Sequence, residues 1–156
     1  MRRFLVALVC LTLICSILTL PATAAEFSEM HEDGQVVVGR TVEYLENGYY
    51  IIETIYKPIV QLYNNTTSGT KIAQCYSSGT LIFTVQVNGT FTYDGSTAEA
   101  TSATGSVKAY VSGVTLESKD AYTSGASAYA TASVSYGGTT LSKTVKLTCD
   151  KDGNLS

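Results

Sequence analysis

The sequence predicts an all-β domain: an antiparallel β-sandwich of immunoglobulin-like type, with a small β-barrel as the alternative, behind a cleavable secretory leader. Three observations predict it. From Thr41 onward, short runs of residues alternate apolar and polar with a period of two. The runs are separated by turn pairs such as Asn47-Gly48, Asp94-Gly95 and Gly137-Gly138. Past the leader, no stretch holds helical periodicity for three turns, and a count of roughly seven to nine short strands suits a sandwich.

The leader comes first. Met1-Arg2-Arg3 precedes an apolar run from Phe4 to Leu20, and Pro21-Ala22-Thr23-Ala24-Ala25 supplies small residues at the cut. A basic start, an apolar middle and a small-residue box make a secretory signal over 1–25. The run is at the short end of what spans a bilayer, so a retained anchor is the weaker alternative. No second hydrophobic segment follows, and the mature protein is expected to be secreted, extracellular and without a membrane span.

Residues 26–40 read as an acidic flexible arm. Glu26, Glu29, His31, Glu32 and Asp33 crowd together, and Val36-Val37-Val38 is too short to bury much. The sandwich domain is then 41–156. Its first hairpin runs from Thr41 to Glu46, turns at Asn47-Gly48, and returns through Tyr49 to Tyr56. Asn-Gly suits a turn whose two central residues need positive φ, and Lys57-Pro58 ends the returning strand because Pro has no N–H to pair.

Lys71 to Tyr76 and Thr80 to Asn88 form the second hairpin about Ser77-Ser78-Gly79, with Leu81, Phe83, Val85 and Val87 on one face. Gly89 marks a bulge before Thr90 to Tyr93, and Asp94-Gly95 turns the chain again. Ser96 to Thr104 and Ser106 to Ser112 are two separate strand candidates, and Ser118 to Ser124 is less regular. The firmest hairpin is the last. Ser127 to Tyr136 alternates Ala130, Ala132 and Val134 with Tyr129, Thr131 and Ser133; after Gly137-Gly138, Leu141, Val145, Leu147 and Cys149 share a face.

Asn47 to Ile51, Gly89 to Gly95 (GTFTYDG) and Lys143 to Ser156 (KTVKLTCDKDGNLS) resemble small exported proteins of Gram-positive anaerobes. The likeness spans about Tyr44 to the C-terminus. It implies bacterial origin and export only; no activity or site residue comes with it.

Charge and composition exclude several classes. The chain carries 10 Lys+Arg against 13 Asp+Glu, and losing Arg2 and Arg3 with the leader makes it more acidic. With no basic run, the charge balance argues against nucleic acid and anionic membrane surfaces as partners. The single His31 lies in the arm, where nothing holds a base against a nucleophile. Glu43, Glu46, Glu53, Asp94, Glu99, Glu117 and Asp120 are scattered solubilising acids rather than a catalytic pair, and no Trp is present to stack a sugar. Asp150-Lys151-Asp152-Gly153-Asn154 starts like a calcium loop. It fails at Leu155, where Gly is wanted. The matches to the N-glycosylation pattern at Asn64, Asn65, Asn88 and Asn154 are of the kind composition alone produces. No cofactor, metal or catalytic residue is expected.

Two features remain. Cys75 and Cys149 both fall on expected strands, with Cys149 pointing inward; they are a disulfide closing a long loop, worth about 4 kcal/mol in the loop-entropy account, or two buried free thiols. The eleven Tyr either fill a core poor in larger aromatics or line a contact surface, for which Tyr49, Tyr50 and Tyr129 are the candidates. Tyr49 and Tyr50 occupy opposite faces of one strand, so one ring faces out. The expected function is a non-catalytic interaction, adhesion or surface-associated module binding a protein or glycan. A carbohydrate-binding module is the alternative, and a secreted hydrolase is the third reading.

Overall fold

The computed structural model describes residues 30–31, 34–59 and 65–156. The leader and its cut, residues 26–29 and 32–33 of the acidic arm, and Asn64 lie outside the described residues. The described residues form nine strands: β1 (Met30–His31), β2 (Gln35–Tyr44), β3 (Tyr49–Pro58), β4 (Thr66–Ser77), β5 (Thr80–Tyr93), β6 (Ala98–Ala109), β7 (Thr115–Ser124), β8 (Ser127–Tyr136) and β9 (Thr139–Thr148). They form a six-stranded sheet in the order β1 to β6 and a three-stranded sheet in the order β7 to β9, every pairing antiparallel. The protein is therefore the expected two-layer β-sandwich, with no barrel closure. Its connections are consecutive throughout, a meander in each layer with one passage between layers after β6.

The turns follow their sequence chemistry. Asn47 (φ 59°) and Gly48 (φ 75°) both adopt the left-handed region the β2–β3 turn requires. Ser78 and Gly79 do the same between β4 and β5. The Asp94 carboxylate accepts from the backbone N–H of Ser96 (2.8 Å) and Thr97 (2.7 Å), which holds the β5–β6 turn.

The core lies where the small sheet covers β4 to β6. Phe83, Val85, Val87 and Phe91 on β5 face Ala128, Ala130, Ala132 and Val134 on β8 and Val145 and Leu147 on β9, all buried. The β8 row is nearly all alanine because its backbone comes unusually close to the large sheet. A Cβ on Gly89 would lie 2.9 Å from the Ala128 Cβ, and one on Gly105 would lie 3.1 Å from the Ala130 Cβ. Gly and Ala thus interlock at two points where a larger pair would force the layers apart.

The structure corrects three boundaries. β2 begins at Gln35 and pairs with β3 from Pro58 onward, so residues 35–40 belong to the sheet and not to an arm. An edge strand need not bury much to pair, which is why Val36-Val37-Val38 looked too poor. Ser96–Thr104 and Ser106–Ser112 are one strand, β6; Gly105 reads as a break but is the contact point for Ala121 and Ala130. β7 is a full ten-residue strand whose only half-buried residue is Ala121, so it carries no alternation to read. The bulge expected near Gly89 occurs at Thr90/Phe91, with Thr101 of β6 as the extra residue.

The small sheet packs on one face of the large one, chiefly over β4 to β6, and the β2 edge overhangs it. The candidate site lies on the opposite face of the large sheet.

Candidate functional site

Counting outward from the Asn47-Gly48 turn pairs Tyr44 with Tyr50, and the β3–β4 register pairs Tyr50 with Tyr76. The three rings form a row across the outer face of β2, β3 and β4. Tyr50 and Tyr76 stack with centroids 4.8 Å apart and 2° between planes, and Tyr44 lies 6.1 Å from Tyr50, tilted by 42°. Tyr44 is 82% exposed. The next row along the same face is Val42 and Ile52, and Ile72 lies one row further. No described element packs on this face. Toward β5 and β6 it turns polar: Asn88 accepts from Thr70 (2.8 Å) and Gln86 (2.8 Å) and donates to Thr104 (3.2 Å).

Of the sequence candidates, Tyr50 is on the exposed row and Tyr49 is not: it points the other way and packs against the core cluster. Tyr129 lies on the outer face of the small sheet, stacked on Tyr122 at 4.9 Å, while the Lys146 ammonium lies 5.9 Å from its centroid on the neighbouring strand. Tyr50 and Tyr129 therefore belong to separate surfaces. Tyr44, Tyr76 and Tyr122 were not among the candidates. The signal for them was the cross-strand register counted from each turn, not the composition.

On the inner face of the overhang, Lys143 of β9 reaches across to the large sheet. Its ammonium donates to Glu43 and contacts Glu53, each at 3.0 Å, and Lys71 lies 3.2 Å from Glu53. Burial alone would raise the Glu53 carboxyl, but the hydrogen bond from Lys143 and the charges of Lys71 and Lys143 hold it below its ordinary value. Burial likewise opposes the charge on Lys143, and its bonds to Glu53 and Glu43 overcome that, raising its pKa. Two carboxylates thus do converge, on one ammonium. A carboxyl that protonates a leaving group needs its pKa raised, and Glu53 is driven the other way.

Cys75 and Cys149 are both free and buried, which corrects the disulfide reading of this pair. Cys75 pairs with Ile51 across β3–β4 and feels the charge of Lys143. Cys149 follows β9 at the other end and feels Lys57. Ile51 and Lys57 are six residues apart on β3, about 20 Å at the rise of a strand, far beyond the ~7 Å Cα separation a disulfide tolerates. Burial pushes the Cys75 thiol up to about 11, so it is a poor nucleophile.

Asp150 closes its own turn. One carboxylate oxygen accepts from the N–H groups of Asp152 (2.9 Å) and Asn154 (2.8 Å), the other from the Asn154 amide (2.9 Å). Its donor set is spent on the backbone rather than offered to a cation. Leu155 then folds back against Gly69. Among the described residues no group of three His, Cys, Asp or Glu converges as metal ligands, and no helix is long and apolar enough to cross a membrane. His31 pairs through its backbone with Gln35. A half-open cavity of about 240 Å³ lies among β5, β6, β7 and β8, its lining including Val85, Val107, Ala130, Lys119 and Asp120.

Comparison with protein-family models, with curated proteins and with solved structures gives no match for this chain.

Proposed function

We propose that the chain is a secreted, non-catalytic β-sandwich that acts as an interaction module of the adhesion or surface-associated kind, contacting its partner through the outer face of β2, β3 and β4. The observation that carries this is the Tyr44–Tyr50–Tyr76 row beside Val42, Ile52 and Ile72 on a face that no described element packs against. Tyrosines offer large contact area with two torsions to immobilise and a hydroxyl at the tip, and clustered exposed apolar side chains mark contact sites. The expected leader and the resemblance to exported proteins of Gram-positive anaerobes support a partner outside the cell. The ion-paired state of Glu53 and the high thiol pKa of Cys75 support the non-catalytic reading.

A protein partner fits the row better than a glycan does. Tyr50 and Tyr76 spend a ring face on each other, whereas a sugar ring stacks on an open face. The open ring is Tyr44, and it keeps a carbohydrate-binding module as the second reading.

Purified mature protein, immobilised and exposed to cell-envelope and culture fractions from its native surroundings, tests this. Capture that falls at least about tenfold in the triple variant Y44S/Y50S/Y76S, with an unchanged β-type circular dichroism spectrum, is the expected result. Equal capture by the variant and the parent removes this face from the reading. Retention on insoluble polysaccharide, lost on Y44S alone, would favour the carbohydrate module instead.

A further inference from the structure

Among the described residues, one of the four sheet edges runs without a neighbouring strand for most of its length. β6 and β7 close on each other at the corner where the layers meet: a Cβ on Gly105 would lie 3.2 Å from the Ala121 Cβ. β9 carries Lys143 and Lys146, and at its end Thr148 exchanges both backbone hydrogen bonds with Ser156 (2.8 and 2.9 Å). β2 is different. β1 pairs only with its first two residues, Gln35 and Val36. Beyond the bulge at Val37/Gly39, the segment from Gly39 to Tyr44 has β3 on one side and no described strand on the other. Five of the eight large exposed apolar residues are at β2 or beside its ends: Val38, Val42, Tyr44, Leu45 and Ile59. Charges and prolines normally guard such an edge against pairing. From Gly39 to Tyr44 there is no Pro, and the charges are one Arg and one Glu.

We infer that β2 pairs antiparallel with β2 of a second copy of this chain, about a twofold axis at Val42, joining the two large sheets into one. The sequence of β2 is complementary to itself in this register. Val42 meets Val42; Arg40 meets Tyr44 of the other copy, twice; Thr41 meets Glu43. Centring the axis on Arg40 or on Glu43 instead would set like charges directly opposite, which is unfavourable. Arg40 has no ion pair among the described residues, and it shares the outer face with Tyr44 because the two are four apart on one strand. In the pair its guanidinium lies beside the exposed ring of the other copy's Tyr44, extending each Tyr76–Tyr50–Tyr44 row by a cation. A twofold interface of this kind uses one patch on both partners and closes after two copies. The dimer goes beyond the binding role proposed above and does not depend on it: either can fail while the other stands.

Sedimentation velocity on the purified mature chain over a wide concentration range, with the variants V42K and V42C, tests it. The expected results are a concentration-dependent dimer and, for V42K, a dimer dissociation constant raised about tenfold or more, because two ammonium groups then face each other at the axis in place of the single Val42–Val42 contact. V42C should cross-link to a covalent dimer on mild oxidation, which fixes the register, with T41C cross-linking far less. Unchanged far-ultraviolet circular dichroism in V42K separates lost pairing from lost folding. A chain that stays monomeric at every concentration overturns the inference. A dimer that persists in V42K, or that cross-links through T41C and not V42C, overturns it as well.

Discussion

Lys143 of β9 and Glu53 of β3 meet 3.0 Å apart across the two layers of the sandwich, with side chains only 15% and 18% exposed. The contact sits where the small sheet ends and the overhang begins. It ties the edge of one layer to the other at the margin of the apolar core. Glu43 and Lys71 extend it into a four-membered chain of alternating charge.

Removing the central member should cost more than a surface pair does. K143M leaves Glu43 and Glu53 facing each other, with Lys71 the remaining counter-charge on Glu53. Exposed pairs contribute up to about 1 kcal/mol, and breaking a buried one costs about 3–5 kcal/mol. The half-buried site lies between, so about 2 kcal/mol is expected from urea unfolding. A loss below about 0.5 kcal/mol would mean the pair is energetically idle.

The same network sets a pH window. The Glu53 pKa is lowered below its ordinary 4.5 in the fold. Its contribution is therefore complete above that ordinary value and is lost as the pH falls through the folded one. Lys143 is raised above its ordinary 10.5; its contribution is complete below 10.5 and is lost as the pH climbs through the folded value. This network's share of the unfolding free energy should be flat between the two ordinary values and fall on either side, while Cys75 and Cys149, raised from an ordinary 9.0 by burial, add their own loss above that value. K143M should flatten both flanks. If its pH profile merely runs parallel to the parent's, the network does not carry the dependence.

The two thiols should be present and hidden. Intact mass should not change on adding reductant. A thiol reagent should modify neither Cys75 nor Cys149 in the folded protein at neutral pH and both after denaturation, because they are 3% and 2% exposed and burial pushes Cys75 up to about 11. A gain of two hydrogens in mass on reduction would contradict the separation of the two cysteines along β3 and β4.

Gly89 tests how closely the layers are set. A methyl there would lie 2.7 Å from the Phe91 ring and 2.9 Å from the Ala128 Cβ. Since both neighbours are fully buried, G89A should lower stability by about 1–3 kcal/mol through overpacking. G79A, at a turn with open space around it, would instead act through its positive φ, so the two losses have different origins. A G89A variant as stable as the parent would show that the sheets have room to part.

Much of the fold could be read from the chain. The turns at Asn47-Gly48 and Gly137-Gly138, the paired rows of β8 and β9, and the inward face of Phe83, Val85 and Val87 all follow from local rules, because each needs only a period of two and a residue that accepts positive φ. The candidate site was half legible. Tyr50 could be nominated from its place on a strand, but Tyr49 could not be told from it, since alternation says that one of two neighbours faces out without saying which.

Alone, then, the amino-acid order determined that this is an antiparallel β protein and where most of its strands turn back. Which faces meet was decided only in three dimensions. The separation of Cys75 from Cys149, the convergence of Glu43, Glu53 and Lys143, and a β2 edge with no described strand beyond Gly39 all depend on how a three-stranded layer is laid over a six-stranded one. That placement comes from packing between residues far apart in the chain, above all Gly89 against Ala128 and Gly105 against Ala130, and local pattern carries no record of it.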